Sequence, residues 1–117
     1  MAYKTVNIDE VEAHRGVIRF MRRELGAQAF GINQFDFPPG REGHEHDETG
    51  SGQEEVYVVI AGSGVLRIDG EEIELRVGDY VLVSPDAKRV PVAGPDGLTW
   101  ICIGGVAGGV YEPQGPF

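Results

Sequence analysis

Glycine and proline are spread through this chain so evenly that little room is left for a helix of ordinary length. The 117 residues include 18 glycines and seven prolines, whereas globular helices usually need about 8–20 residues without a breaker. The intervals between breakers suit strands instead, and several are rich in β-branched and aromatic residues. Strands are therefore expected at Val17 to Leu25, at Ala29 to Phe37 before the breaker Pro38-Pro39-Gly40, and at Val56 to Ala61. The last is apolar throughout, as in a strand covered on both faces, and Gly62-Ser63-Gly64 then bends the chain. A single short helix is expected at Asn7 to Ala13, capped by Asn7, with Ile8 and Val11 forming its apolar stripe.

The stretch VLRIDGEEIEL contains its own register. Asp69-Gly70 is a two-residue turn of the kind that needs positive φ. Counting outward pairs Arg67 with Glu72 and Leu66 with Ile73, so opposite charges meet and apolar groups meet. Gly78-Asp79 turns into YVLVS, which stops at Pro85, and a final strand, Leu98 to Ile103, follows the turn Gly94-Pro95-Asp96-Gly97. Tyr111 and Phe117, in a proline- and glycine-rich tail, are expected to dock on the body. About eight strands with frequent turns specify an all-β, closed or sandwiched antiparallel domain.

Charge and cysteine content narrow the function classes. A formal net charge of −9, from 19 acids and 10 bases, repels phosphate backbones and anionic lipid, so neither nucleic acid nor a membrane is an expected partner. No apolar run reaches membrane-spanning length and the N-terminus lacks a signal-peptide pattern, which makes a cytoplasmic location the expectation. The one cysteine, Cys102, lies in apolar TWICIGG and reads as a buried, inert thiol. No Ser-His-Asp set, phosphate loop or dinucleotide fingerprint is present, and no organic cofactor is expected.

The chemistry concentrates in GREGHEHDETGSGQEEVYVV. In an extended segment His44 and His46 face the same way, roughly 6.5 Å apart along the backbone, and both can point at one ion. Imidazole with carboxylate suits a divalent transition metal such as Fe, Mn, Zn or Ni. Glu55, at the opening of the next strand, is the preferred third ligand, and Glu48 is the local rival. Tyr57 is in phase with Glu55 and is a candidate for contacting substrate. Arg89, beside Lys88 after the strand-ending Pro85, is a candidate for gripping an anionic group at the site's mouth. His14 reads as an isolated surface residue, and Arg19, Arg22 and Arg23 as surface or interface charge on an early strand.

The order of these pieces resembles the cupin superfamily of small double-stranded β-helix proteins, in its compact, single-domain bacterial form. The matching residues are Pro39-Gly40, His44-x-His46, Glu55 with Gly62 seven residues later, Gly78-Asp79 and Pro85. The resemblance implies a jelly-roll barrel over about residues 29–104 within a single domain of residues 1–117, often a homodimer. It also implies a metal held by two histidines, a glutamate and a third histidine. This chain departs twice. Eight residues separate His46 from Glu55, which implies an inserted loop at the barrel mouth, and Val90 stands where the third histidine belongs. The expected function is a small-molecule cupin that holds a divalent metal on His44, His46 and Glu55 and binds or transforms a small polar or anionic substrate; if it is an enzyme, the resemblance implies a metal-dependent, oxygenase- or isomerase-like one. The alternative is a metal-free cupin that binds or senses a small ligand without catalysis.

Overall fold

The computed structural model describes residues 2–117. A 3-10 turn, Ile8–Glu10, is followed by β1 (Ile18–Arg19), α1 (Met21–Leu25), β2 (Gly31–Phe37), β3 (Gln53–Ile68), β4 (Glu71–Arg76), β5 (Tyr80–Val83) and β6 (Arg89–Val106). The strands form one antiparallel sheet in the order β1-β2-β6-β3-β4, with β5 also paired to β3.

The β3–β4 hairpin follows its turn chemistry. Asp69 and Gly70 both have positive φ, 48° and 86°, as the tight turn requires. Leu66 lies opposite Ile73 and Arg67 opposite Glu72, with Arg67 Nε 3.3 Å from Glu72 Oε1. At the next turn Gly78 takes φ of 95°, and its N–H donates to the Val59 carbonyl at 3.0 Å.

The long ribbon of β3 and β6 shapes everything else. Its register slips between Val59 and Ala61 and again between Gly62 and Gly64. At the second slip Gly62 lies opposite Leu98 and Gly64 opposite Ala93, so five steps of β6 match two steps of β3. Such bulges bend and twist a strand pair, and here they let one ribbon contribute to both walls of a barrel. The segment after β2 then bridges onto the free edge of early β6, with Glu42 opposite Val92 and His46 opposite Arg89. The inward residues pack into one core that includes Tyr57, Val59, Leu66, Leu75, Leu98 and Trp100. Phe35 stacks on Trp100 at 4.8 Å between ring centroids, and Phe37 meets the same indole edge-on at 4.8 Å.

Several sequence expectations need correction. Val17 to Leu25 is not a strand. Only Ile18–Arg19 is extended, and Met21–Leu25 is a helix closed by Gly26 in the left-handed conformation, whose N–H returns to the Arg22 carbonyl at 2.8 Å. Arg19, Arg22 and Arg23 are consequently divided. Arg19 pairs with Asp36, Arg22 donates to the Phe117 carbonyl, and Arg23 lies over the Phe20 ring. The expected helix at Asn7 to Ala13 shrinks to the turn Ile8–Glu10, although the Asn7 side chain does cap it. Six strands replace about eight, because β3 runs on through Gly62 and β6 through the Gly94–Gly97 segment. Nor is β3 covered on both faces: Tyr57 and Val59 are buried while Ile60 is exposed. The outer face beside it is apolar, with Tyr80 and Leu82 of β5 exposed opposite Val58 and Val56. The tail docks as expected, Tyr111 buried and the Phe117 ring edge-on to Phe20 at 5.2 Å.

The crossing of β3 and β6 generates a test. Gly62 has φ of 75°, and an added Cβ would overlap the Gly97 carbonyl. Gly62→Ala is expected to cost more than about 1 kcal/mol in urea unfolding. Gly50→Ala, where a Cβ meets nothing within 4 Å, should stay within about 0.5 kcal/mol of wild type. Equal effects at the two positions would remove the close approach as the reason for the glycine.

Candidate functional site

Strand alternation sets out the inner surface as adjacent rows. On β3, Glu55 and Tyr57 face inward; across the ladder Glu55 lies opposite Gly104 of β6, which lies opposite Gly31 of β2. The next row is Tyr57, Cys102 and Asn33, and Phe35 and Trp100 follow. Glycines beside Glu55 leave room for other groups, since a Cβ on Gly104 would meet Gln53 Oε1 at 2.5 Å and one on Gly31 would meet the Tyr111 hydroxyl at 2.8 Å.

Glu55 is the hub of a largely buried network. Arg89, 0% exposed, donates from one terminal nitrogen to Glu55 Oε1 at 2.9 Å and from the other to the carbonyls of Ala87 and Ser84 at 2.7 and 3.4 Å. The Cys102 thiol faces Glu55 Oε2 at 3.3 Å, and the Tyr57 hydroxyl lies 3.5 Å from Oε1. Burial pushes the Cys102 thiol well up, reinforced by the Glu55 charge. Burial also raises the Tyr57 phenol, with Cys102 and Glu55 adding to the effect. Both groups therefore remain protonated donors toward the carboxylate at neutral pH, and Cys102 is the inert thiol its surroundings implied.

This network opens into a cavity of about 370 Å³ whose wall includes His44, His46, Glu48, Glu55 and Tyr57. Residues 47–52 form the inserted connection. Asp47 accepts from the Thr49 backbone N–H at 3.1 Å and from its hydroxyl at 2.8 Å, which turns the chain back toward β3. Those two bonds also hold the Asp47 carboxyl below the usual range. The turn carries Glu48 inward, so His46 Nε2 faces two carboxylates, 3.8 Å from Glu48 Oε2 and 4.0 Å from Glu55 Oε1.

The donor types suit a divalent metal, but their arrangement does not. Among the described residues no three His, Cys, Asp or Glu side chains converge as a metal shell. Glu55 already faces the guanidinium of Arg89, so a cation on the same carboxylate would lie beside a buried positive charge that repels it. As they stand, these side chains do not form the expected coordination shell.

The remaining candidates separate clearly. Val90 lies opposite Arg67, whose side chain is turned to solvent, and lines no part of the cavity. The expectation that Val90 points at the histidines is thus corrected: the inward position belongs to Arg89. Arg89 in turn lies wholly buried behind Glu55 and not at the mouth, while Lys88 is exposed. His14 is exposed and away from the cavity, as read. Sequence reasoning missed Asn33 and Trp100, two buried polar residues in the cavity wall. The alternation of Asn33 with Phe35 and Phe37 along β2 was the available signal for the first, because inward positions on an apolar row seldom carry an amide without use.

The buried network makes stability depend on alkaline pH. The native state holds the Cys102 and Tyr57 protons more tightly than the unfolded chain does. Their contribution is therefore complete below the unfolded thiol value of about 8.5 and is lost progressively as pH rises above it. Urea unfolding at pH 7 and pH 10 should show this loss, and Cys102→Ala with Tyr57→Phe should reduce it. A double variant with the same alkaline loss as wild type would assign the effect to other groups.

The comparisons with known proteins bear on a cavity of this kind. A cupin domain family model matches residues 33–104. The chain is 38% identical over 63 residues to dimethylsulfoniopropionate lyase DddW of Ruegeria pomeroyi, a match covering 54% of this chain and 40% of that protein. Among solved structures it resembles a cupin protein from Bacteroides fragilis, with a TM-score of 0.80 and 26% identity over 97% of this chain and 92% of the other. It also resembles a predicted oxalate decarboxylase from Thermotoga maritima, with a TM-score of 0.72 and 16% identity over 88% of this chain and 99% of the other. With its all-β barrel and a family match over most of its length, the chain belongs to the cupin domain family.

Proposed function

We propose that this cupin binds a small polar molecule in the cavity and moves a proton on it with the His46–Glu55 pair, independently of a metal. One observation carries the reading: an imidazole nitrogen lies 4.0 Å from a carboxylate that a buried guanidinium fixes in place. In that arrangement His46 takes the proton as general base, and Glu55 stabilises the imidazolium that results. Arg89 acts through Glu55 as a positioning residue. Tyr57, whose ring lines the cavity, serves the substrate-binding role. The relatives named as a lyase and as a predicted decarboxylase support an enzymatic use of the pocket.

A second reading, a divalent transition metal (Fe, Mn, Zn or Ni) on His44, His46 and Glu55, is supported by the fact that all three line one cavity. It requires Glu55 to accept a second cation beside Arg89. The apolar outer face at Tyr80 and Leu82 favours a second copy of this chain as partner, and analytical ultracentrifugation should find a dimer that Leu82→Glu weakens.

Zinc and manganese titration of tag-free protein separates the two readings. Metal independence predicts substoichiometric metal after dialysis and no metal-dependent change in Tm. It also predicts that His46→Ala and Glu55→Gln lower turnover without changing metal content. Stoichiometric metal that His46→Ala abolishes would replace this reading with the second.

A further inference from the structure

We infer that the inner end of the cavity, between Asn33 and Trp100, is a binding subsite for a neutral carboxamide-type group carried on a flat apolar body. The inference rests on the reading of the cavity as a small-molecule site and names the chemistry its ligand must have. Asn33 is 6% exposed and Trp100 2% exposed, yet both line the cavity. Asn33 Oδ1 and Trp100 Nε1 find no hydrogen-bond partner among the described residues. Buried polar atoms are nearly always paired, and the neighbouring inward groups Tyr57 and Cys102 are indeed directed at Glu55.

A third such atom, Arg89 Nε, lies outside the cavity wall, and the two within it are complementary. Indole N–H only donates and Oδ1 only accepts, so together they require an acceptor and a donor on adjacent atoms. Phe35 pairs with Trp100 and Asn33 with Cys102 two positions further on, which makes Asn33 and Trp100 diagonal neighbours, about 7–8 Å apart at the backbone. An amide carries both complementary groups, its carbonyl to accept from Trp100 and its N–H to donate to Asn33.

The surroundings exclude the charged analogues. Glu42, Glu48 and Glu55 line the same cavity against a single guanidinium, that of Arg41, which is exposed and lies over the Phe37 ring at 5.3 Å, and the Arg89 cation is enclosed behind Glu55, so a carboxylate at the inner end would meet an excess of negative charge. Phe35 and Phe37 supply apolar walls, and about 370 Å³ admits a body the size of one aromatic ring.

Trp100 is the single tryptophan, so its indole N–H is one resonance in a 1H–15N spectrum of the full chain. Benzamide and benzoate, equal in shape and different in charge, are the probes. Benzamide should move the indole resonance saturably and bind at least tenfold more tightly than benzoate, and Asn33→Leu should lose at least tenfold in benzamide affinity. Trp100→Phe, which keeps the ring and removes the donor, should lose as much when followed at the Asn33 side-chain amide, and it supplies the measurement if Asn33→Leu does not fold. Benzoate binding as tightly as benzamide, or unchanged affinity in either variant, overturns the subsite. Shifts at His46 and Glu55 with the indole unmoved overturn the subsite alone and leave the cavity a ligand site, whereas silence at both ends counts against both readings.

Discussion

The ion pair between Arg89 and Glu55 is the constraint on which the site depends. A guanidinium with no exposed surface must have its charge matched and its protons accepted. Here Glu55 supplies the charge, and the carbonyls of Ala87 and Ser84 accept from the other terminal nitrogen, while Nε has no partner among the described residues. The start of β6 is thereby tied to the start of β3 across the barrel. Glu55 in turn orients the protons of Cys102 and Tyr57, and the same carboxylate faces His46. Pairs of this kind contribute less net stability than their Coulomb energy suggests, because both ions leave water. The consequence here is positional: one carboxylate is held in one orientation at the cavity wall.

That pair forms only because the β3–β6 ribbon bends. Glycines at 62 and 64 let the backbone of β3 approach the Gly97 and Val92 carbonyls where no side chain fits. Residues before the bend pair with late β6 and those after it with early β6. One strand pair therefore furnishes both the wall that carries Glu55 and the wall from which Arg89 reaches it. The 41–46 segment bridges onto early β6 and places His46 beside Arg89, which is why an exposed loop histidine faces a partly buried carboxylate.

The cavity consequently has two ends with different chemistry. Its mouth presents His44, His46 and Glu48 around the Glu55 hub. Its inner end presents aromatic rings with one unpaired donor and one unpaired acceptor. A ligand fixed at the inner end would be oriented toward the imidazole, and orientation of that sort makes weak acid–base groups effective.

Short-range chemistry was enough for much of the fold. Asp69-Gly70 determined the β3–β4 register, because a two-residue turn with positive φ leaves one pairing that matches charge to charge and apolar to apolar. The order of His44-x-His46, Glu55 and Gly62 pointed to the family although the His46 to Glu55 interval is longer than the motif's, and His44, His46 and Glu55 line the cavity. The helix Met21–Leu25 was legible in principle from five helix-favouring residues before Gly26, but its apolar ends looked like strand. Whether Gly62 and Gly94 to Gly97 ended their strands or bulged within them was not local information, since a bulge exists only relative to a partner strand. The choice between Val90 and Arg89 for the inward position had the same cause. A shift of one residue in register reverses which side chains face the core, and that register was decided by the pairing of β6 with Ile68 and His46, residues distant in sequence that meet only in the closed barrel.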